Sequence, residues 1–244
     1  IARRSKFPTS LAIVTVDELG RPGYRIYRDG VADKDFSVEE VISSLPGNLD
    51  VFHAGSLALT PDLSPKIREI FGVMRERGVI ISVDLNVRLG ACLDTTSYLS
   101  GLRDLLPMVD IVKASDEDLD HFGISSDVRK AAAVIYTEME SGLLVVTRGA
   151  NGAIVHASGG CAETIARRVV DIKDTIGAGD TFHAGFLASL FYSGNINDLR
   201  SITDPTVLME SLEFASAAAA VSLLREGCHP PTRREVERVI SGGL

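Results

Sequence analysis

The chain has 244 residues, 45% of them apolar and 24% charged. That fits a folded α/β domain with a sizeable core and excludes long disorder and fibrous repeats. Its net charge is −8, the wrong sign for binding nucleic acid or an anionic membrane, and no unbroken apolar run reaches the ~18 residues of a membrane span. Three scattered cysteines and five histidines, without metal-ligand spacing, make neither a disulfide scaffold nor a zinc site. A reducing, cytoplasmic setting is the expectation.

Residues 11–17 and 23–28 are short β-rich runs around the turn-rich ELGRP, which predicts a β-hairpin. Ser37 is placed to cap a helix over 38–44, ended by Pro46-Gly47. LDVFHAG (49–55) reads as a strand. Ile67, Ile70, Phe71 and Met74 follow helical spacing within 62–77, with Gly78 as the stop. VIISVDLN (79–86) is apolar almost throughout, as expected of a parallel strand covered on both faces. Helix 95–106, strand 109–113, helices near 115–121 and 126–140, and strand 143–147 follow. This alternation predicts a doubly wound, mostly parallel sheet. Beyond Thr147 the pattern changes to antiparallel strands at 152–156 and 162–170. A turn over 174–179 and helices at 180–192, 205–225 and 232–240 complete the chain. One domain spans 1–244, with the hairpin segment 9–30 as the part able to stand apart.

The most informative stretch is DTIGAGDTFHAGF, Asp174 to Phe186. Gly177, Ala178 and Gly179 lead into a helix, so backbone N–H groups and the helix dipole make an anion pocket. Asp180 stands where the pocket meets the helix, placed to accept a proton from a hydroxyl while the backbone holds a phosphate. The alternative is a tight turn with Asp180 as an ordinary first-turn residue. The chain has no GxxxxGK[ST] loop, and Phe182 stands where a GxGxxG fingerprint needs glycine.

DTIGAGDTF resembles the C-terminal signature of the ribokinase-like, or PfkB, carbohydrate kinases. Four further segments agree in order and spacing. VDLNVR (83–88) resembles the family's DxNxR strand end, and IVKASDED (111–118) its K-x-N-x-x-E segment. VVTRGANGA (145–153) resembles the TxGxxG element, and SAAAAVSLLREGCHPP (216–231) the closing nucleotide segment. The resemblance implies a ribokinase-like sheet flanked by helices with a small β lid, and transfer of the ATP γ-phosphoryl to a sugar hydroxyl.

Asp180 would be the general base, with the N–H groups of Gly177, Ala178, Gly179 and Asp180 around the phosphoryl group. Thr147, Gly149 and Gly152 would lie against the nucleotide, and Ser216 and Gly227 near adenine. Asp118 would support Mg²⁺ through water, and Asp174 with the backbone around Ile176 would hold a monovalent cation such as K⁺. The hairpin and FHAGSLALT (52–60) look most like fructokinases; 2-keto-3-deoxygluconate kinases share the Tyr-Arg lid and DxNxR. Arg28 and Arg88 would then contact substrate, with Asp84 and Asn86 supporting the site. For Arg28, a solvated strand position is the alternative; for Thr147 to Gly152, a plain hairpin turn; for Ala217 to Ala220, close helix packing.

Family members open with a strand, a glycine pair and a sugar-binding Asp, which have no counterpart ahead of the hairpin. Ser115 and Asp118 stand where Asn and Glu are usual, and Ser216 where Asn is common. A nucleotide-binding module without a complete sugar site, or an assembly subunit lending its lid strands, are therefore rival readings. Apolar Leu11, Ile13, Val14 and Val16 cannot share one ribbon face, so a homodimer through the lid is expected.

Overall fold

The computed structural model describes residues 4–16, 22–202 and 204–242. Leu11–Val16 (β1) and Pro22–Tyr27 (β2) pair antiparallel, Leu11 opposite Tyr27, as a separate two-stranded ribbon. Residues 17–21 of the expected turn lie outside the described residues. Leu11 and Ile13 on one face, and Val14 on the other, are exposed.

Val38–Ser44 (α1) starts at a capping box: the Glu40 amide donates to Ser37 Oγ and the Ser37 amide to the Glu40 carboxylate. Then come Val51–Gly55 (β3), Ser64–Glu76 (α2), Ile80–Asp84 (β4), Thr95–Leu105 (α3), Ile111–Ser115 (β5), Asp116–His121 (α4), Val128–Glu138 (α5) and Leu143–Thr147 (β6). Ala153–Ala157 (β7) and Gly160–Thr164 (β8) follow, then helices Ala178–Tyr192 (α6), Pro205–Leu223 (α7) and Arg233–Ile240 (α8).

The main sheet runs β3-β4-β5-β6-β7-β8. β3 to β6 are parallel and β7 and β8 antiparallel, as the change of pattern after Thr147 predicts. β8 ends at Thr164, short of the strand expected to 170. There the chain turns away from β7 and Arg167 donates to the Val239 carbonyl of α8 (3.2 Å).

Side chains alternate across the sheet and give it two faces of different chemistry. On one, Ile81, Val83, Val112, Ala114, Leu144 and Val146 pack under α2, α3 and α5, including Ile67, Ile70, Phe71 and Met74. On the other, Ile111, Leu143, Val145 and Val155 pack under Phe182, Phe186 and Leu190 of α6 and Leu208, Leu212 and Ala215 of α7. This second face turns polar at the carboxyl ends of β3 to β5, where His53, Ser82, Asp84 and Lys113 stand in neighbouring register.

By length and mean hydropathy (19 residues, 1.3) α7 would suit a membrane span, which the absence of an unbroken apolar run does not anticipate. It is instead a core helix, packed between α6 and α8. A Cβ on Gly185 of α6 would sit 3.0 Å from the Ala218 Cβ, so the alanine run does serve close helix packing.

Candidate active site

The site forms along the carboxyl edge of the parallel strands, beneath the start of α6. Gly177 is the N-cap of α6 with φ +77° and supplies no side-chain cap. A Cβ there would meet Cys228 Sγ at 2.5 Å, so both conformation and space require glycine. The helix begins at Ala178, two residues earlier than the sequence pattern suggests. Asp180 is therefore its third residue. The first-turn N–H groups have no intrahelical acceptor; that of Ala178 turns back to the Thr175 carbonyl (3.3 Å), and those of Gly179 and Asp180 are left for a ligand. Asp180 itself is exposed.

Lys113 of β5 lies directly under this turn. Its Nζ would be 3.3 Å from a Cβ on Gly179, and it donates to Asp84 Oδ2 at 3.1 Å. Both side chains are only 6% exposed. Burial pushes the Asp84 carboxyl up to about 6, with the charges of Asp118 and Asp180 acting in the same direction and Lys113 opposing them. Asp84 Oδ1 is buried without a hydrogen-bond partner, which marks the point as one completed by a ligand or water.

Asp118 is also buried and binds two strand ends together. Its Oδ1 accepts from the Val87 amide (2.6 Å) and its Oδ2 from the Ser115 amide (2.7 Å). Ser115 returns the bond by accepting from the Asp118 amide, a capping box for α4. Asn86 turns the chain after β4 with φ +36°, a conformation Asn tolerates better than most residues. Arg88, half-buried, donates to the Val87 carbonyl.

Arg28 corrects the picture of a solvated strand residue. It is buried, just beyond β2, with Nε and Nη2 on Asp33 Oδ2 (2.7 and 2.5 Å) and Nη1 on the Leu57 carbonyl (2.8 Å). The guanidinium ties the base of the ribbon to the turn after β3.

A groove of about 560 Å³ extends from the α6 start, lined by Thr147, Gly149, Gly152, Ala178, Gly179 and Ser216 among others. Six of the residues singled out in the sequence thus share one cavity. Gly152 has φ +87° and a Cβ there would stand 1.9 Å from the Thr164 carbonyl, so the β6–β7 turn can press against β8 only as glycine. Arg148 braces that turn through the Asn151 carbonyl (2.8 Å) and Glu163 (2.5 Å). Gly227 lies outside this lining: its N–H donates to Asp174 Oδ2 (3.0 Å), while Asp174 Oδ1 accepts from the Ile176 amide (2.9 Å). Those two bonds hold the Asp174 carboxyl below its usual range.

The residues without an assigned role in the sequence are Lys113, His53, Ser82 and His183. A lysine ending the apolar run of β5 and a histidine within TFHAGF are the signals that point to the first and last.

The profile for "pfkB family carbohydrate kinase" matches residues 2–234. The chain belongs to that family. A fructokinase of Rhizobium leguminosarum bv. trifolii is 33% identical over 75% of the chain and 55% of its own length. One of Salmonella typhimurium is 31% identical over 94% of the chain and 73% of its own length. The chain thus spans little more than half of the first relative and under three-quarters of the second. The crystal structure of a fructokinase with bound ATP from Xylella fastidiosa superposes with a TM-score of 0.82 at 27% identity, covering 98% of this chain and 75% of that one.

Proposed function

We propose that the chain transfers the γ-phosphoryl group of ATP to a hydroxyl of a neutral sugar, with fructose the first candidate. The observation that carries this is Asp180 on the first turn of α6, above the Lys113–Asp84 pair and at the end of the groove lined by Thr147, Gly149, Gly152 and Ser216. ATP would lie in the groove, its terminal phosphate against the first-turn N–H groups, with Lys113 adding positive potential from below. Asp180 would take the hydroxyl proton as that oxygen attacks phosphorus and ADP leaves. Asp84 Oδ1 would meet a sugar hydroxyl or a water that serves it.

The residues fit Mg²⁺ only at one remove. Both Asp118 oxygens already accept backbone bonds, and the lone pairs that remain suit water in the metal's shell. Mg²⁺, when bound, neutralises phosphate charge. Asp174 likewise uses both oxygens to shape its loop, so K⁺ would be held by loop oxygens around it.

Neutral sugars are favoured over 2-keto-3-deoxygluconate by the state of Arg28, whose charge Asp33 already neutralises. Lys34 is paired with Asp62 in the same way (2.8 Å). The ribbon would act as a lid, and its two exposed apolar faces would seat a second copy; a concentration-independent monomer in light scattering removes that idea. Release of ADP on mixing with Mg-ATP and a sugar panel tests the reading. Fructose or another neutral sugar should give turnover, and turnover with acid sugars alone would overturn it.

A further inference from the structure

His53, Ser82 and His183 form a hydrogen-bonded chain across 130 residues of sequence, from the middle of β3 to the buried face of α6. His53 Nδ1 is 3.1 Å from Ser82 Oγ, and Ser82 Oγ is 2.7 Å from His183 Nε2. The two rings lie with centroids 5.1 Å apart. His183 is buried, and its Nδ1 has no partner. His53 is exposed.

Among the described residues Ser82 Oγ meets only these two ring nitrogens, so its one proton goes to one ring and it accepts from the other. Two arrangements are allowed. If Ser82 donates to His183, then His183 carries its proton on Nδ1, and a buried N–H has no acceptor. If Ser82 donates to His53, then His183 donates from Nε2 and only a lone pair is left bare at its Nδ1. An orphaned buried donor is the rarer and more costly of the two. Burial holds His183 down to about 3, and desolvation of the ring side that packs on Ser82 lowers His53, with the Asp180 charge opposing it. His183 is therefore neutral at neutral pH, and the second arrangement stands. His53 Nδ1 then accepts from Ser82, and the ring proton of His53 sits on Nε2.

Asp180 is the carboxylate whose charge acts on His53. It is three residues before His183 on α6, hence one turn nearer the carboxyl edge on the same helix face. Its charge acts on both His53 and Asp84. We propose that His53 is a positioning residue for Asp180: its Nε2–H meets the Asp180 carboxylate, directly or through one water. Ser82 and His183 fix the tautomer that makes this donor available. The proposal rests on Asp180 being the general base of the site.

Among the described residues the charges acting on this chain are those of Asp180 on α6 and Lys113 on β5, and Asp84 stands two residues beyond Ser82 on the same strand face of β4. The test is long-range ¹H–¹⁵N NMR of the histidines in the full chain, which reports each ring's tautomer without any need for turnover. His53 should be protonated on Nε2 and His183 on Nε2. Ser82→Ala should release His53 into a mixture of tautomers. Asp180→Asn should lower the His53 titration midpoint by at least ~0.3 unit, because an opposite charge has been removed. A wild-type His53 protonated on Nδ1, or a midpoint unmoved by Asp180→Asn, would overturn the proposal. In turnover, His53→Phe should lower kcat at least ~10-fold with KM for ATP kept, and His53→Gln, which retains an N–H, should recover most of it. Equal rates for wild type and His53→Phe would also overturn it. Loss of turnover in every variant and in the wild type would instead count against the kinase reading, leaving the NMR result to decide the chain of hydrogen bonds.

Discussion

The two faces of the central sheet are built to different rules. The face under α2, α3 and α5 is apolar from one end to the other, with Phe71, Ile81, Val112 and Met74 all fully buried. The face under α6 begins the same way with Ile111, Leu143 and Val145, then at the carboxyl edge buries Ser82, Asp84, Lys113 and His183. Burying such groups is unfavourable unless they are paired, and here the pairing is incomplete, at Asp84 Oδ1 and His183 Nδ1. One face holds the fold, and the other gives up some stability at the edge where the proposed ligand would be met.

The strongest way to break this contrast is to remove one residue from each face. Phe71→Ala should destabilise by ~3–5 kcal/mol through lost burial and the cavity left behind. Lys113→Ala should destabilise by ~3–5 kcal/mol for another reason, since it leaves the Asp84 carboxylate buried and unpaired. Denaturant melts across pH separate the two causes. The Phe71→Ala loss should be flat with pH, whereas the Lys113→Ala loss should shrink below pH 6 as Asp84 takes up a proton. A double change, Asp84→Leu with Lys113→Met, should recover stability without recovering turnover; recovery of both would mean the pair serves packing alone.

A smaller effect follows from the pH dependence of the polar face. His183 is held neutral down to about 3, while the unfolded chain protonates it near 6.5, so this group removes stability as pH falls through that interval. Asp84, raised to about 6, acts in the opposite sense: the folded state holds a proton that the unfolded state releases above 3.8, so stability is lost as pH rises towards 6. His183→Leu should therefore gain Tm relative to wild type as pH is lowered from 7 to 4.5. A difference that stays constant with pH would contradict the assignment.

The smallest effect is remote from both faces. Ser37→Ala removes one half of the α1 capping box and should lower stability by ~1 kcal/mol in the same melts, with no change in turnover.

Local signals carry most of this architecture. Helical spacing in α2, Ser37 as a cap, and the continuous apolar runs of β4 and β6 each depend on neighbours within a few residues, so they can be read in the sequence. The small-residue turn before α6 points to Asp180, and the resemblance adds the β6–β7 turn and Asp118 as expected site residues. The pairings that give the site its character are long-range. Lys113 meets Asp84 across 29 positions, and Ser82 meets His183 across 101, and no local pattern reports such contacts. The end of β8 depends in the same way on Arg167 reaching α8. Arg28 is different, because Asp33 stands only five residues away, and a charge pair at that range was open to inspection.

The account stands or falls on Asp180. The direct measurement is turnover and nucleotide binding of Asp180→Asn beside the wild-type chain, with Mg-ATP and the best sugar of the panel. The substitution keeps the shape of the side chain and leaves the first-turn N–H groups in place. The account predicts that kcat falls by ~10²–10⁴-fold while nucleotide affinity stays within a few-fold. A variant that phosphorylates sugar at the wild-type rate would contradict it and leave Asp180 as an ordinary residue of the first turn of α6.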